Sequence, residues 1–301
     1  MFAVQTCVVH ATCFMPKPNI MSKLPFTINA GGRLLSLERP VVMGIVNVTP
    51  DSFYGDSRVG DDELLSRCRA MIEQGAAIID VGACSTRPSG DFVSCDEELE
   101  RLHRAFELLD KAFPDAIFSV DTFRARVARE CVAHHNVAII NDVSGYDWDK
   151  DMFDAVCQLN VPYILTHTKG VAGDEPEYAN FIPEVVEQLA RKLWALRQAG
   201  VNDVIVDAGF GFGKSLEQNY ALMAALGQFS LLEAPMLVGI SRKSMITKVL
   251  SVAPADALNG TTVLNTIALM QGANILRVHD VAAAVEAVAI VEKLRECTPV
   301  F

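Results

Sequence analysis

The chain has 301 residues, a net charge of −11 and a hydrophobic share of 50%. That acidity argues against a nucleic-acid partner, which needs clustered Lys and Arg. No apolar run approaches the roughly 18 residues of a membrane-spanning helix. The eight cysteines form no Cys-x-x-Cys pair and, in a chain this long, read as reduced thiols of a cytoplasmic enzyme rather than a disulfide framework.

The opening segment MFAVQTCVVHATCFM lacks a basic start and is interrupted by His10 and Thr12, so it does not read as a signal peptide. Met21 is an alternative start. We assign residues 1–24 to an N-terminal extension expected to be disordered, and 25–301 to a single domain. In PFTINAGGRLLSLERP, Gly31-Gly32 separates two apolar stretches and predicts a β-hairpin closing the bottom of a barrel. Eight Val/Ile-rich runs follow: MGIVNV (43–48), IIDVGA (78–83), IFSVD (117–121), AIINDV (138–143), YILTH (163–167), VIVDAG (204–209), PMLVGIS (235–241) and ILRVHD (275–280). Each is too short for a helix and lacks alternation, as strands buried on both faces do.

Amphipathic stretches separate most of these runs. DELLSRCRAMIEQG places Leu64, Leu65, Cys68, Met71 and Ile72 on one face. EELERLHRAFELLDKAF, FRARVARECVAHH, IPEVVEQLARKLWALRQAG and VAAAVEAVAIVEKLRE also read as helices. Strand starts lie roughly 20 to 40 residues apart, the size of a βα unit. The pattern predicts an α/β fold, a (β/α)8 TIM barrel with an N-terminal hairpin. The alternative is a doubly wound open sheet, which loses ground because no Gly-x-Gly-x-x-Gly follows the first run.

Polar residues end every run: Asn47, Asp80, Asp121, Asn141 with Asp142, His167, Asp207, Ser241 with Arg242 and Lys243, and Arg277 with His279. In a barrel these residues would point to the C-terminal mouth, where active sites of this architecture lie. The cations Arg242, Lys243, Arg277 and His279 come from the last two strands and Arg87 from the loop after the second, which predicts a phosphorylated anion as substrate. Asp121, Asn141 and Asp207 can grip a ring bearing several N–H donors. The long segments 47–62 and 85–96 read as lids. DAGFGFGKS (207–215) offers glycines for close backbone approach, Phe210 and Phe212 as aromatic walls, and Lys214. His167 is an isolated histidine, and His134-His135 reads as a helix cap or surface pair.

These motifs carry a resemblance. MGIVNVTPDSF (43–53), DVGACSTRP (80–88), SVDT (119–122), IINDVSG (139–145), DAGFGFGK (207–214), VGISRKS (238–244) and RVHDV (277–281) are similar, in order, to the signatures of the dihydropteroate synthases. The resemblance implies condensation of a pterin-methyl diphosphate with p-aminobenzoate, with release of diphosphate. It implies Mg2+ as cofactor, contacted by Asn47, and a pterin held by Asp121, Asn141 and Asp207. Lys243 would lie over the pterin, and Arg277 and His279 would hold diphosphate. Thr86, Arg87, Pro88, Phe212 and Ser244 would form the p-aminobenzoate pocket, with Ser244 at the carboxylate end. The partners implied are small-molecule substrates and a second copy of the chain in a homodimer.

Three departures stand out. Ala83-Cys84 replaces the Gly-Glu that precedes STRP in many relatives, Thr166 and Thr168 replace methionines around His167, and Ala208 replaces a proline. They keep open an inactive pterin-binding paralogue. A methyltetrahydrofolate-dependent methyltransferase is a weaker alternative, since it would not need the SRKS and RVHD cations. A metal hydrolase is weaker still, with no His-x-His or HExxH in the chain.

Overall fold

The computed structural model describes residues 26–48, 57–84, 93–169 and 178–297. The chain begins with two short strands, β1 (Thr27–Ala30) and β2 (Arg33–Ser36), then β3 (Val41–Asn47) and α1 (Ser57–Glu73). Strands and helices then alternate: β4 (Ile78–Gly82), α2 (Cys95–Ala112), β5 (Phe118–Asp121), α3 (Ala125–His134), β6 (Val137–Asp142), α4 (Met152–Leu159), β7 (Tyr163–Thr166) and α5 (Phe181–Gln198). The last part holds β8 (Val204–Asp207), α6 (Leu216–Ala225), β9 (Met236–Val238), α7 (Ser244–Leu250), α8 (Leu258–Met270), β10 (Ile275–Val278) and α9 (Val281–Glu296). Strands β3 to β10 close into a parallel barrel, β10 pairing with both β9 and β3. All eight apolar runs are barrel strands, so the (β/α)8 expectation holds and the open sheet does not.

Alternation along each strand sorts the core into two parts. Met43, Ile78, Ile139, Ile164, Ile205, Leu237 and Ile275 face inward and pack with Ile28, Ala30 and Leu37 of the N-terminal segment. Their neighbours Val42, Ile79, Val120, Ile140, Leu165, Val206, Val238 and Leu276 face outward against helix residues such as Leu102, Phe106, Leu109 and Leu193.

The hairpin plugs the N-terminal end of the barrel, as its sequence predicts. Gly31 and Gly32 take φ of 61° and 84°, open to glycine at little steric cost. The Asn29 backbone N–H donates to Asp203 at 3.0 Å, and Arg33 donates to the Pro114 carbonyl at 2.9 Å. With that end sealed by apolar packing, ligands reach the interior from the other.

The helices follow their expected faces. Ser94 caps α2 by accepting from the Glu97 backbone N–H, and Leu99, Leu102, Phe106 and Leu109 are buried. Among the described residues six cysteines are free thiols, and burial pushes Cys68 and Cys131 up to about 12. The assigned N-terminal extension, residues 1–24, lies outside the described residues.

Candidate active site

Counting two residues on from the inward-facing layer, apolar except for Ser119, explains the site. Ile78 leads to Asp80, Ser119 to Asp121, Ile139 to Asn141, Ile164 to Thr166, Ile205 to Asp207, and Ile275 to Arg277. The period of two therefore carries a polar ring on the same inner face, at the strands' C-terminal ends. Register aligns it: Asp121 pairs with Asn141, and Thr166 with Asp207.

Arg277 lies at the centre of one half of this ring. Its Nε donates to Asp80 Oδ2 at 2.6 Å, and its Nη2 donates to Asp121 Oδ2. Asn141 Nδ2 donates to the same Asp80 oxygen at 2.9 Å. Asp80 is fully buried, while the Asp121 and Arg277 side chains keep 16% and 18% exposure, enough to face a ligand. Two glycines make room: a Cβ on Gly82 would sit 3.2 Å from Asp121 Cβ, and one on Gly239 3.7 Å from Arg277 Cβ. Burial pushes the Asp121 carboxyl up, and Arg277 pulls against that shift. Burial opposes the charge on Arg277, but Asp80 and Asp121 hold its pKa above the ordinary guanidinium value.

Asp207 and Lys243 form the other half. Asp207 Oδ1 accepts from the Gly209 backbone N–H at 2.8 Å, and burial raises its pKa against the pull of Lys243. The Lys243 ammonium donates to the Phe210 carbonyl and sits 4.5 Å from the centre of the Phe212 ring. Burial lowers Lys243 to about 8, with Asp207 favouring the charge and Arg277 opposing it. Gly211 takes φ 80°, and a Cβ there would stand 3.3 Å from Lys243 Cδ. Asp121, Asp207, Lys243 and Arg277 thus act electrostatically on one another in one place.

His279 continues the inner face from Arg277, half-buried, with Nδ1 3.0 Å from Ser241 Oγ. Burial and then Arg277 lower its pKa to about 4, so the imidazole is neutral near pH 7. Asn47 ends β3 on the inward parity and is half-buried. Ser244 is the exposed first residue of α7. Thr86, Arg87 and Pro88 lie outside the described residues; Cys84, at their root, is half-buried, and burial raises its pKa.

Several strand-end residues do not reach the mouth. Asp142 follows Asn141 and so faces outward, accepting from Ser144, Tyr146 and the Tyr163 hydroxyl. His167 likewise follows inward Thr166, and its ring lies 6.4 Å from that of Tyr178. Arg242, at φ 57°, spends its fork on Asp280 at 2.8 and 2.7 Å and on the carbonyls of Pro254 and Ala255, so it anchors a loop. Lys214 donates to the carbonyls of His167, Gly209 and Phe212 and binds the glycine-rich segment from beneath. Phe210 is fully buried in the outer core, which leaves Phe212 as the aromatic wall. His135 is no simple cap: it bonds Asp110 at 3.0 Å and His103 at 2.8 Å on the outer surface.

Asp80, Ser241 and Gly82 belong to the site although the sequence motifs give them no role of their own. For Asp80 the signal was present, since it stands two residues beyond Ile78.

The family described as pterin binding enzyme matches residues 43–279, which includes every residue of this ring. This chain belongs to that family. A dihydropteroate synthase of Escherichia coli K12 is 41% identical over 273 residues, covering 87% of this chain and 94% of its own length. A Xanthomonas albilineans dihydropteroate synthase solved with 4-aminobenzoic acid is 36% identical at a TM-score of 0.82, covering 92% of this chain and 100% of its own. The same enzyme solved with 7,8-dihydropteroate is 35% identical at 0.81, covering 91% and 100%. In this pterin-binding family member, the polar ring therefore sits on a complete family barrel.

Proposed function

We propose that the chain is a dihydropteroate synthase, a transferase joining 6-hydroxymethyl-7,8-dihydropterin diphosphate to p-aminobenzoate and releasing diphosphate in folate biosynthesis. One observation carries the reading: inward carboxylates and an amide stand beside Lys243, Arg277 and His279 at the open end of a barrel whose other end is plugged. Asp121 and Asp207 accept ring N–H bonds, and Asn141 completes the edge. Lys243 lies over the ring. Arg277 and His279 hold the diphosphate, and Arg87 adds a cation from its loop. Thr86, Pro88, Phe212 and Ser244 receive p-aminobenzoate, Ser244 at the carboxylate.

The reaction breaks the bond between the pterin methylene carbon and a diphosphate oxygen and forms a carbon–nitrogen bond to the aniline. No protein nucleophile is required. Positive charge spreading from the methylene into the ring meets the two carboxylates. Negative charge growing on the leaving group meets Arg277 and the His279 donor, preorganised by their partners.

Mg2+ belongs to this proposal. Among the described residues no cluster of three His, Cys, Asp or Glu side chains is arranged around one point. A lone amide such as Asn47 nevertheless fits an ion that takes most of its ligands from substrate phosphates and water. When bound, the ion would offset charge on the diphosphate.

We also propose a homodimer and a cytoplasmic location. Val249, Val263, Ile267, Met270 and Ile290 are exposed on α7, α8 and α9, large apolar side chains in the pattern of an obligate interface. Sedimentation equilibrium should give twice the chain mass, and a monomer would overturn that part. The free thiols suit a reducing compartment. The reaction itself is tested by diphosphate release with Mg2+ present: release should require both substrates and fall with a sulfonamide as competitor. Release independent of the arylamine, or none, would overturn the assignment.

A further inference from the structure

Ser241 is buried, at 5% exposure, and its hydroxyl meets His279 twice. The His279 backbone N–H donates to Ser241 Oγ at 3.2 Å, and the same oxygen lies 3.0 Å from His279 Nδ1. The hydroxyl carries one proton of its own. Among the described residues, Nδ1 is the acceptor within its reach. A proton on Nδ1 would compete for that line and leave a buried hydroxyl without an acceptor, which native structures avoid.

The charge around the ring decides the rest. Arg277 and Arg67 oppose protonation of His279, Asp280 favours it, and Arg242 opposes it while bound to Asp280; burial outweighs them all. The ring is therefore neutral and has a single N–H. With Nδ1 taken as acceptor, that proton is on Nε2.

We infer that Ser241 is a positioning residue that fixes His279 in the Nε2–H tautomer, presenting a neutral donor to the leaving diphosphate. This rests on the proposed reaction for its ligand, but the tautomer is a property of the free protein. A carbonyl at the position of Ser241 would do the opposite, accepting from Nδ1–H and offering the anion a lone pair. A hydroxyl also adapts: if an arriving anion draws a second proton to the ring, Ser241 rotates and accepts from Nδ1–H, and the Nε2–H donor is unchanged.

The test has two readouts. Two-dimensional 1H–15N NMR of 15N-histidine-labelled free protein at neutral pH should show His279 protonated at Nε2 and bare at Nδ1. Calorimetric titration with inorganic diphosphate should show roughly tenfold weaker binding in Ser241→Ala, the size of one lost hydrogen bond, with Ser241→Thr restoring most of it. Ser241→Ala should also move His279 toward Nδ1–H. A wild-type spectrum with Nδ1–H, or an Nε2–H tautomer and diphosphate affinity both unchanged in Ser241→Ala, would overturn the inference. The wild-type spectrum decides even if the variant does not fold. An Nε2–H ring in a wild-type protein that binds no diphosphate would uphold the tautomer and count against the anion site instead.

Discussion

Arg277 and Asp80 are joined at 2.6 Å across the inside of the barrel, and Asp80 is fully buried beneath the guanidinium. The same Asp80 oxygen accepts from Asn141, so one carboxylate orients both the Arg277 guanidinium and the Asn141 amide. Asp80→Ala should leave the buried Asn141 amide and the part-buried Arg277 Nε without their acceptor and destabilise the protein by about 3 kcal/mol, the lower end for breaking one side of a buried pair, since Arg277 keeps Asp121. Urea unfolding measures it; a loss under about 1 kcal/mol would show that the ring does not depend on Asp80.

Asp121 faces both Arg277 and the mouth. Its bonds to the ring should strengthen as positive charge develops. Asp121→Ala is expected to lower turnover more than it weakens pterin binding, by at least about tenfold. Steady-state rates and calorimetric pterin affinity, compared side by side, separate the two. Equal losses would mean that Asp121 only binds.

Lys214 and Lys243 come from neighbouring loops yet do different work. Lys214 satisfies three carbonyls beneath the glycine-rich segment. Lys214→Met should therefore cost stability, about 1–3 kcal/mol for the stranded acceptors. Lys243→Met should raise the Michaelis constants of both substrates with a smaller loss of stability. Thermal unfolding and kinetics on the two variants check the contrast, and a reversed pattern would refute it.

The lowered pKa of Lys243, about 8, sets a limb of the pH profile. A lysine is cationic below its pKa, so activity that needs the ammonium is present at neutral pH and falls as pH rises through about 8. The kcat/KM profile reports the free enzyme and should show this limb. In Lys243→Arg, whose side chain stays charged, the limb should move to higher pH whatever the absolute rate. An unmoved limb would assign it to another group.

Gly209 has φ 72°, and a Cβ there would fall 1.9 Å from the His167 carbonyl oxygen. Gly209→Ala should displace the loop that carries Phe212, costing at least about 2 kcal/mol from strain and steric overlap. Gly211→Ala meets only the flexible Lys243 stem at 3.3 Å and should cost less stability while raising the Michaelis constants. Chemical denaturation of both variants, with kinetics on Gly211→Ala, gives the comparison.

Much of this arrangement is legible in the residues. The eight short apolar runs announce a parallel barrel because each must be buried on both faces, and Gly31-Gly32 marks the hairpin because its turn needs positive φ. What misleads is the period of two: a shift of one residue reverses the side a chain faces. Asn141 and Asp142 are adjacent, yet one faces the mouth and the other Tyr163. Thr166 and His167 divide in the same way. Arg242 sits among the SRKS cations in sequence, but its positive φ turns it to Asp280. Helices α4, α6 and α8 escape notice because they are short or lack a single apolar stripe. α6 buries Asn219 beside Leu222 and Met223, and α8 buries Thr261 and Asn265.

The account comes down to one placement: acids and an amide at the edge of a heterocycle, with Arg277 and His279 at its diphosphate tail. A crystal structure of the protein with the pterin diphosphate and p-aminobenzoate tests it most directly. The account predicts ring N–H groups within hydrogen-bond distance of Asp121 and Asp207, and diphosphate oxygens on Arg277 and on Nε2 of His279. A ring bound away from those carboxylates, or a diphosphate held by neither Arg277 nor His279, would contradict it.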